Sequence, residues 1–146
     1  MATEPAPKMI FVNLPVGDLG ASIAFYAAVG AAPNQDFADE STQMMSFSES
    51  IHVMLLTRER FQGFTPRKIP DAHETAQVLL ALSETSREAV DATVESALAA
   101  GGTEPNPRQD HGFMYGRSFA DLDGHIWEVA WMDMAAALAS GRSAEM

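Results

Sequence analysis

The sequence has no cysteine, and that absence removes disulfides, thiolate metal sites and thiol nucleophiles together. Any metal would have to be held by Asp, Glu or one of four histidines. Basic residues are scarce: 9 stand against 20 acidic ones, for a net charge of −11. So acidic a surface repels phosphate backbones and anionic lipid, so neither nucleic acid nor membrane is expected as a partner. No apolar run reaches the roughly 18 residues of a membrane span. Met1–Lys8 is polar and proline-bearing, without an apolar stretch of signal-peptide length. Both absences point to a cytoplasmic protein. A glycine-rich phosphate loop, a serine nucleophile elbow and a His-x-x-x-His pair are missing too, which sets those enzyme classes aside.

What is present is an ordinary globular balance, 47% hydrophobic and 20% charged over 146 residues. That length supports a single domain with a real core, and two small modules can share it. Met9–Val16 is apolar enough for a mostly buried strand. Asp18 can cap a helix in which Leu19, Ile23, Tyr26 and Val29 repeat at helical spacing and which Gly30 ends. Three short strands are expected next, near Asn34–Phe37, Thr42–Phe47 and Ile51–Leu56. Residues 57–75 read as a connector in which Phe61, Phe64 and Ile69 can pack a short turn of helix. The order then recurs. Ala76–Ser83 is a strand, Thr85 with Glu88 forms a capping box, and Val90, Val94, Ala97 and Leu98 mark a buried helix face stopped by Gly101-Gly102. Strands near Glu104–Pro107, Phe113–Phe119 and His125–Trp131 complete the second round. The alanine-rich tail, 133–146, begins as a short helix. The chain therefore reads as an α+β protein of two tandem βαβββ modules, 9–56 and 76–132.

Two stretches resemble the vicinal oxygen chelate superfamily of glyoxalases, bleomycin-resistance proteins and extradiol dioxygenases. Asn13-Leu14-Pro15-Val16-Gly17-Asp18-Leu19, with Ala21–Tyr26, resembles its opening strand and helix. Gly116–Val129 resembles its closing hairpin, with Leu122 where the family usually has proline. The resemblance implies that the two modules form curled sheets around one concave, often metal-bound cavity, and that modules pair across a homodimer. It also implies four metal-ligand positions. Aligned on Asp18 and on the closing hairpin, these fall on Phe11, Met54, Val78 (with one residue of slack towards Gln77) and Glu128. Phenyl, thioether and isopropyl groups cannot ligate a hard divalent ion, and catalytic metals need about three or four N or O ligands. No metal is expected, or at most a weakly held divalent ion, with Glu128 the one conventional ligand. No other cofactor is expected.

Strand alternation puts His52 on the face of Met54 and Leu56, and Asn13 on the face of Phe11. His52, Asn13 and Glu128 are then the polar groups of an apolar cup lined by Phe11, Met54, Val78, Leu80 and Ile126. Glu128 lies in an apolar strand, where a carboxylate is costly unless it is paired or faces a wet cavity. Burial beside aromatics would raise its pKa, as a general base requires; an edge position or an ion pair with Arg117 is the structural alternative. His52 is the second catalytic candidate, against a satisfied sheet histidine. Tyr115 and Arg117 share a strand face, either to bind an anionic or carbonyl ligand or as a structural pair. His111 lies on a loop able to cover the cup, His125 is a surface residue, and His73 belongs to the connector.

Two functions stay open. One is a metal-free binding protein that sequesters a small, partly apolar molecule, as bleomycin-resistance proteins do. The other is a lyase or isomerase of the glyoxalase type with Glu128 as base. Dioxygenase chemistry lacks its two-His-one-carboxylate set. A structural or regulatory role is the plainest alternative.

Overall fold

The computed structural model describes residues 5–139. The chain divides into two compact units, 1–69 and 70–146. Each holds a four-stranded mixed sheet and a long helix, the α+β duplication that the sequence predicts.

In the first unit β1 (Ile10–Val16), α1 (Leu19–Ala28), β2 (Ala32–Asp39), β3 (Thr42–Ser46) and β4 (Ile51–Thr57) form a sheet of order β1-β4-β3-β2. Asp18 caps α1 by accepting from Ala21 N at 3.0 Å. Gly30 ends it at φ 104°, a backbone region that suits a residue without Cβ. The helix buries Ser22, Phe25 and Tyr26. Met45, Val53 and Leu55 form one fully buried sheet face, and the Tyr26 ring meets Phe47 at 6.5 Å between centroids. Residues 58–62 of the expected connector form α2 (Arg58–Gln62), capped by the Thr57 hydroxyl.

In the second unit β5 (Leu80–Ser83), α3 (Arg87–Ala99), β6 (Gln109–Asp110), β7 (Met114–Ala120) and β8 (Ile126–Met132) repeat the order as β5-β8-β7-β6, followed by α4 (Met134–Ala139). Val90, Val94 and Ala97 are the buried side of α3, as their spacing predicts.

Three local expectations are corrected. The cap of α3 is Ser86, whose hydroxyl accepts from Ala89 N at 3.0 Å, because the chain stays extended one residue longer than a Thr85–Glu88 box requires. The strand expected near Glu104–Pro107 is displaced to Gln109–Asp110, since Pro105 and Pro107 have no N–H to give a ladder. The strand expected over Ala76–Ser83 is paired only from Leu80, which faces Trp127 at the start of β8. The run before it extends past the end of its partner strand, and Val78 and Leu79 are exposed.

Candidate functional site

Cross-strand partners share a face of a sheet, so the register fixes what each face presents. In the second unit Tyr115, Arg117, Trp127 and Val129 look towards α3, while Gly116, Ser118, Glu128 and Ala130 look away from it. Three of these four, Gly116, Ser118 and Ala130, are small. Gly116 lies opposite Ala130 and Ser118 opposite Glu128, leaving a recess of about 280 Å³ between the two strands and the loop of Asn106, Pro107 and Gln109. Met114, Arg117 and Val129 also line it.

Two polar groups define this recess. Glu128 is exposed rather than buried beside aromatics, so the desolvation on which a general-base role was expected to rest is missing. Ser118 is 4% exposed, and among the described residues its Oγ is a buried side-chain oxygen without a hydrogen-bond partner. A buried hydroxyl left unpaired is costly; this one has almost no accessible surface, so a ligand atom would satisfy it only by displacing the neighbouring atoms that cover it.

The helix-facing side carries a different chemistry. The Arg117 guanidinium donates from Nε and Nη2 to the two oxygens of Glu104, each at 2.9 Å, from Nη1 to Asp91 at 2.9 Å and from Nη2 to Glu95 at 2.7 Å. Tyr115 donates its hydroxyl proton to Asp91 at 2.6 Å, and Arg87 lies over the Tyr115 ring at 4.5 Å. Hydrogen bonds from Tyr115 and then Arg117 hold the Asp91 carboxyl below the usual range. Arg117 does the same to Glu104. The acceptor Asp91 pushes the Tyr115 phenol up, and the bond to Glu104 leads in raising Arg117. Tyr115 and Arg117 are thus a structural pair buried against α3, turned away from the recess. Leu80 shares the helix-facing side through its partner Trp127, whereas Ile126 lies on the Glu128 face.

In the first unit Phe11, Asn13, His52 and Met54 occupy one face, as alternation predicts. The Phe11 ring stacks on His52 at 5.0 Å. His52 Nε2 contacts the Glu49 carbonyl at 3.1 Å and Nδ1 the Ser46 hydroxyl at 2.7 Å. A carbonyl only accepts, so Nε2 carries the proton and the Ser46 hydroxyl donates to Nδ1 in the neutral ring. His52 is a satisfied sheet histidine, with no lone pair free for a metal. His111 is exposed, contacting Gln109 at 3.4 Å. His125 is half-buried rather than on the surface.

The metal positions implied by the resemblance do not fit a metal. Phe11 stands seven residues before its helix cap, and the same step back from Ser86 moves the second unit's position from Val78 to Leu79. Phenyl, thioether and isobutyl groups then accompany Glu128. Among the described residues no three His, Asp or Glu side chains gather at metal-binding spacing.

Sequence reading missed Ser118 and Gly116 as recess residues and Asp91, Glu95 and Glu104 as the partners of Arg117. Small residues at alternate positions of paired strands were the available signal for the first two. The three acids are brought to Arg117 from α3 and the following loop, a placement no local pattern shows.

The sequence model of the Glyoxalase/Bleomycin resistance protein/Dioxygenase superfamily matches residues 8–129. No curated protein matches the chain. Among solved structures, a hypothetical protein from S. aureus is 26% identical, with a TM-score of 0.73 over 87% of this chain and 95% of that one. A glyoxalase-related enzyme from Fulvimarina pelagi is 25% identical, with a TM-score of 0.72 over 85% and 87%. A glyoxalase/bleomycin resistance protein/dioxygenase family enzyme from Burkholderia phytofirmans PsJN, at 19% identity, shares the fold with a TM-score of 0.70 over 86% and 99%.

Proposed function

Because the chain belongs to the Glyoxalase/Bleomycin resistance protein/Dioxygenase superfamily, we propose that it is a small-molecule-binding member whose ligand sits on the open face of the second sheet, without a resident divalent metal. The observation that carries this is the unpartnered Ser118 hydroxyl beside Glu128, in a recess that small residues keep clear. The side chains at the family's ligand positions support the metal-free part of the reading, since only Glu128 has an oxygen to offer.

The test is a screen of small aromatic compounds read through the backbone amide resonances of the full chain. Shifts gathered at Gly116, Ser118 and Ala130, and lost in Gly116→Val, support the site. Gly116 has an ordinary φ, and an added Cβ there meets nothing closer than 3.7 Å, so larger side chains fill the recess without straining the strand. Responses elsewhere, or none, count against it.

The lyase or isomerase alternative, with Glu128 as base, requires a substrate whose turnover falls in Glu128→Gln. The exposure of Glu128 favours the binding reading. Pairing as a homodimer is proposed with it: Val78, Leu79, Met134 and Leu138 are large apolar side chains more than half exposed, and light scattering of the purified protein tests this. A cytoplasmic location also belongs to the proposal; among the described residues no helix is long and apolar enough to cross a membrane.

A further inference from the structure

The recess has a sign. Cross-strand register places Ala81, Gln109, Gly116, Ser118, Glu128 and Ala130 on the open face of the second sheet. Glu128 is the charged side chain among them. The cation nearest to it in the strands, Arg117, points the opposite way and is 2% exposed, with its N–H groups committed to Asp91, Glu95 and Glu104. It cannot turn to meet a ligand without giving up its bonds to all three carboxylates. The amides of Asn106 and Gln109 in the wall are neutral. Arg108, between Pro107 and Gln109 in the same wall, donates to the Tyr115 hydroxyl at 3.3 Å on the helix-facing side, so an anionic ligand would meet the Glu128 carboxylate with neither arginine turned towards it.

Resting on the binding function proposed above, we propose that this recess selects a ligand bearing a nitrogen cation, an ammonium or amidinium on a small apolar body. Glu128 is its counter-charge, and the Ser118 hydroxyl is a specificity-determining group that accepts from or donates to the same end of the ligand. The carboxylate supplies acceptors for the cation's N–H groups, and bonds of this charge-assisted kind are about twice as strong as neutral ones. Among the described residues Ser118 Oγ is buried and unpartnered, so a ligand donor that displaces the neighbouring atoms covering it gains a bond without breaking one inside the protein. Gly116 and Ala130 leave room for the apolar body, and Met114 offers it a soft, adaptable contact.

The test compares three fluorescent naphthyl probes on the full-length protein: the isosteric pair 2-naphthylmethylamine and 2-naphthylmethanol, and the anion 2-naphthoate. The amine is expected to bind about tenfold more tightly than the alcohol, with the acid weakest. Glu128→Gln should bring amine and alcohol to within about twofold of each other. That variant separates a specific counter-charge from general attraction, because the whole-chain charge of −11 only becomes −10, and diffuse attraction would survive it. Ser118→Ala should weaken the amine and the alcohol while leaving the melting temperature unchanged or higher, since it deletes an unsatisfied buried hydroxyl. A hydroxyl with a hidden structural partner would instead lower the melting temperature. Equal binding of amine and alcohol by the native protein overturns the cation preference but leaves the recess as a binding site, provided Gly116→Val still abolishes both. An amine preference that persists in Glu128→Gln also overturns it. Failure of all three probes to bind, or binding that ignores Gly116→Val, overturns both the preference and the site.

Discussion

Arg117 grips Glu104 in the two-pronged geometry of guanidinium and carboxylate, Nε to one oxygen and Nη2 to the other, both at 2.9 Å. Because Arg117 sits on β7 and Glu104 in the segment after α3, this pair ties the helix exit to the middle of the sheet. The remaining Nη1 and Nη2 bonds tie the same guanidinium to α3 itself through Asp91 and Glu95.

Removing the cation should therefore be far worse than removing any one acid. Arg117→Met is expected to destabilise the chain by about 3 kcal/mol, since it leaves acidic groups clustered without their counter-charge. Glu95→Gln, whose carboxylate is 62% exposed, should change stability by less than about 0.5 kcal/mol. Arg117→Lys should recover only part of the loss, because an ammonium cannot form the two-pronged contact. Urea titration of the three variants checks the order.

The same cluster sets a pH response. Asp91 and Glu104 titrate below their ordinary values of 3.8 and 4.5 in the folded chain. Near pH 4 the unfolded state therefore binds more protons, and stability falls as the medium is acidified through and below those values. Their contribution is complete above about pH 5.5. Glu104→Gln should flatten the acid limb of a melting-temperature profile relative to the native protein. Tyr115 behaves oppositely. Its phenol is raised above 10.0, so its contribution is complete below that value and fades as the solution becomes more alkaline. Tyr115→Phe should remove this alkaline loss.

Gly124 and Gly30 separate conformational strain from steric collision. Both have positive φ, 95° and 104°, so alanine at either should cost about 1 kcal/mol for conformation alone. At Gly30 nothing lies within 4 Å of the added carbon, whereas at Gly124 it would stand 2.6 Å from His73 N and 2.7 Å from Ala72 C. Gly124→Ala should be worse by a further 2 kcal/mol or about that, or displace the 71–75 segment from the β7–β8 turn. Thermal unfolding compares the two.

Helix capping offers a direct check on the corrected register. Ser86→Ala should destabilise by about 1 kcal/mol, and Thr85→Ala by a few tenths at most. The reverse order would restore the Thr85–Glu88 box.

Metal retention tests the greasy character of the family's ligand positions. After incubation with nickel, zinc or iron(II) and desalting, the protein should keep well under one equivalent. Installing His at Met54 together with His at Phe11 is expected to raise retention of zinc or nickel if those positions hold the register the resemblance gives them. Stoichiometric retention by the native chain would sink the metal-free reading.

The architecture was legible because it is written in local chemistry. The apolar run of Met9–Val16, the Asp18 cap, the Gly30 and Gly101 stops and the stripe of Val90, Val94 and Ala97 each specify an element from its own residues. Their recurrence in the same order specifies the duplication, and the closing hairpin motif points to the family. The sheet faces of His52 and Asn13 followed from alternation alone. What lay beyond the sequence was pairing. Proline placement moved β6, and the late start of β8 cut β5 short. Only the meeting of α3 with β7 showed that Arg117 belongs to three acids rather than to a ligand. The recess likewise depends on which small residue of one strand faces which of the next, and the exposure of Glu128 on what covers it. Periodicity is a property of neighbours in the chain, whereas charge partners and cavities arise between residues that only folding brings side by side.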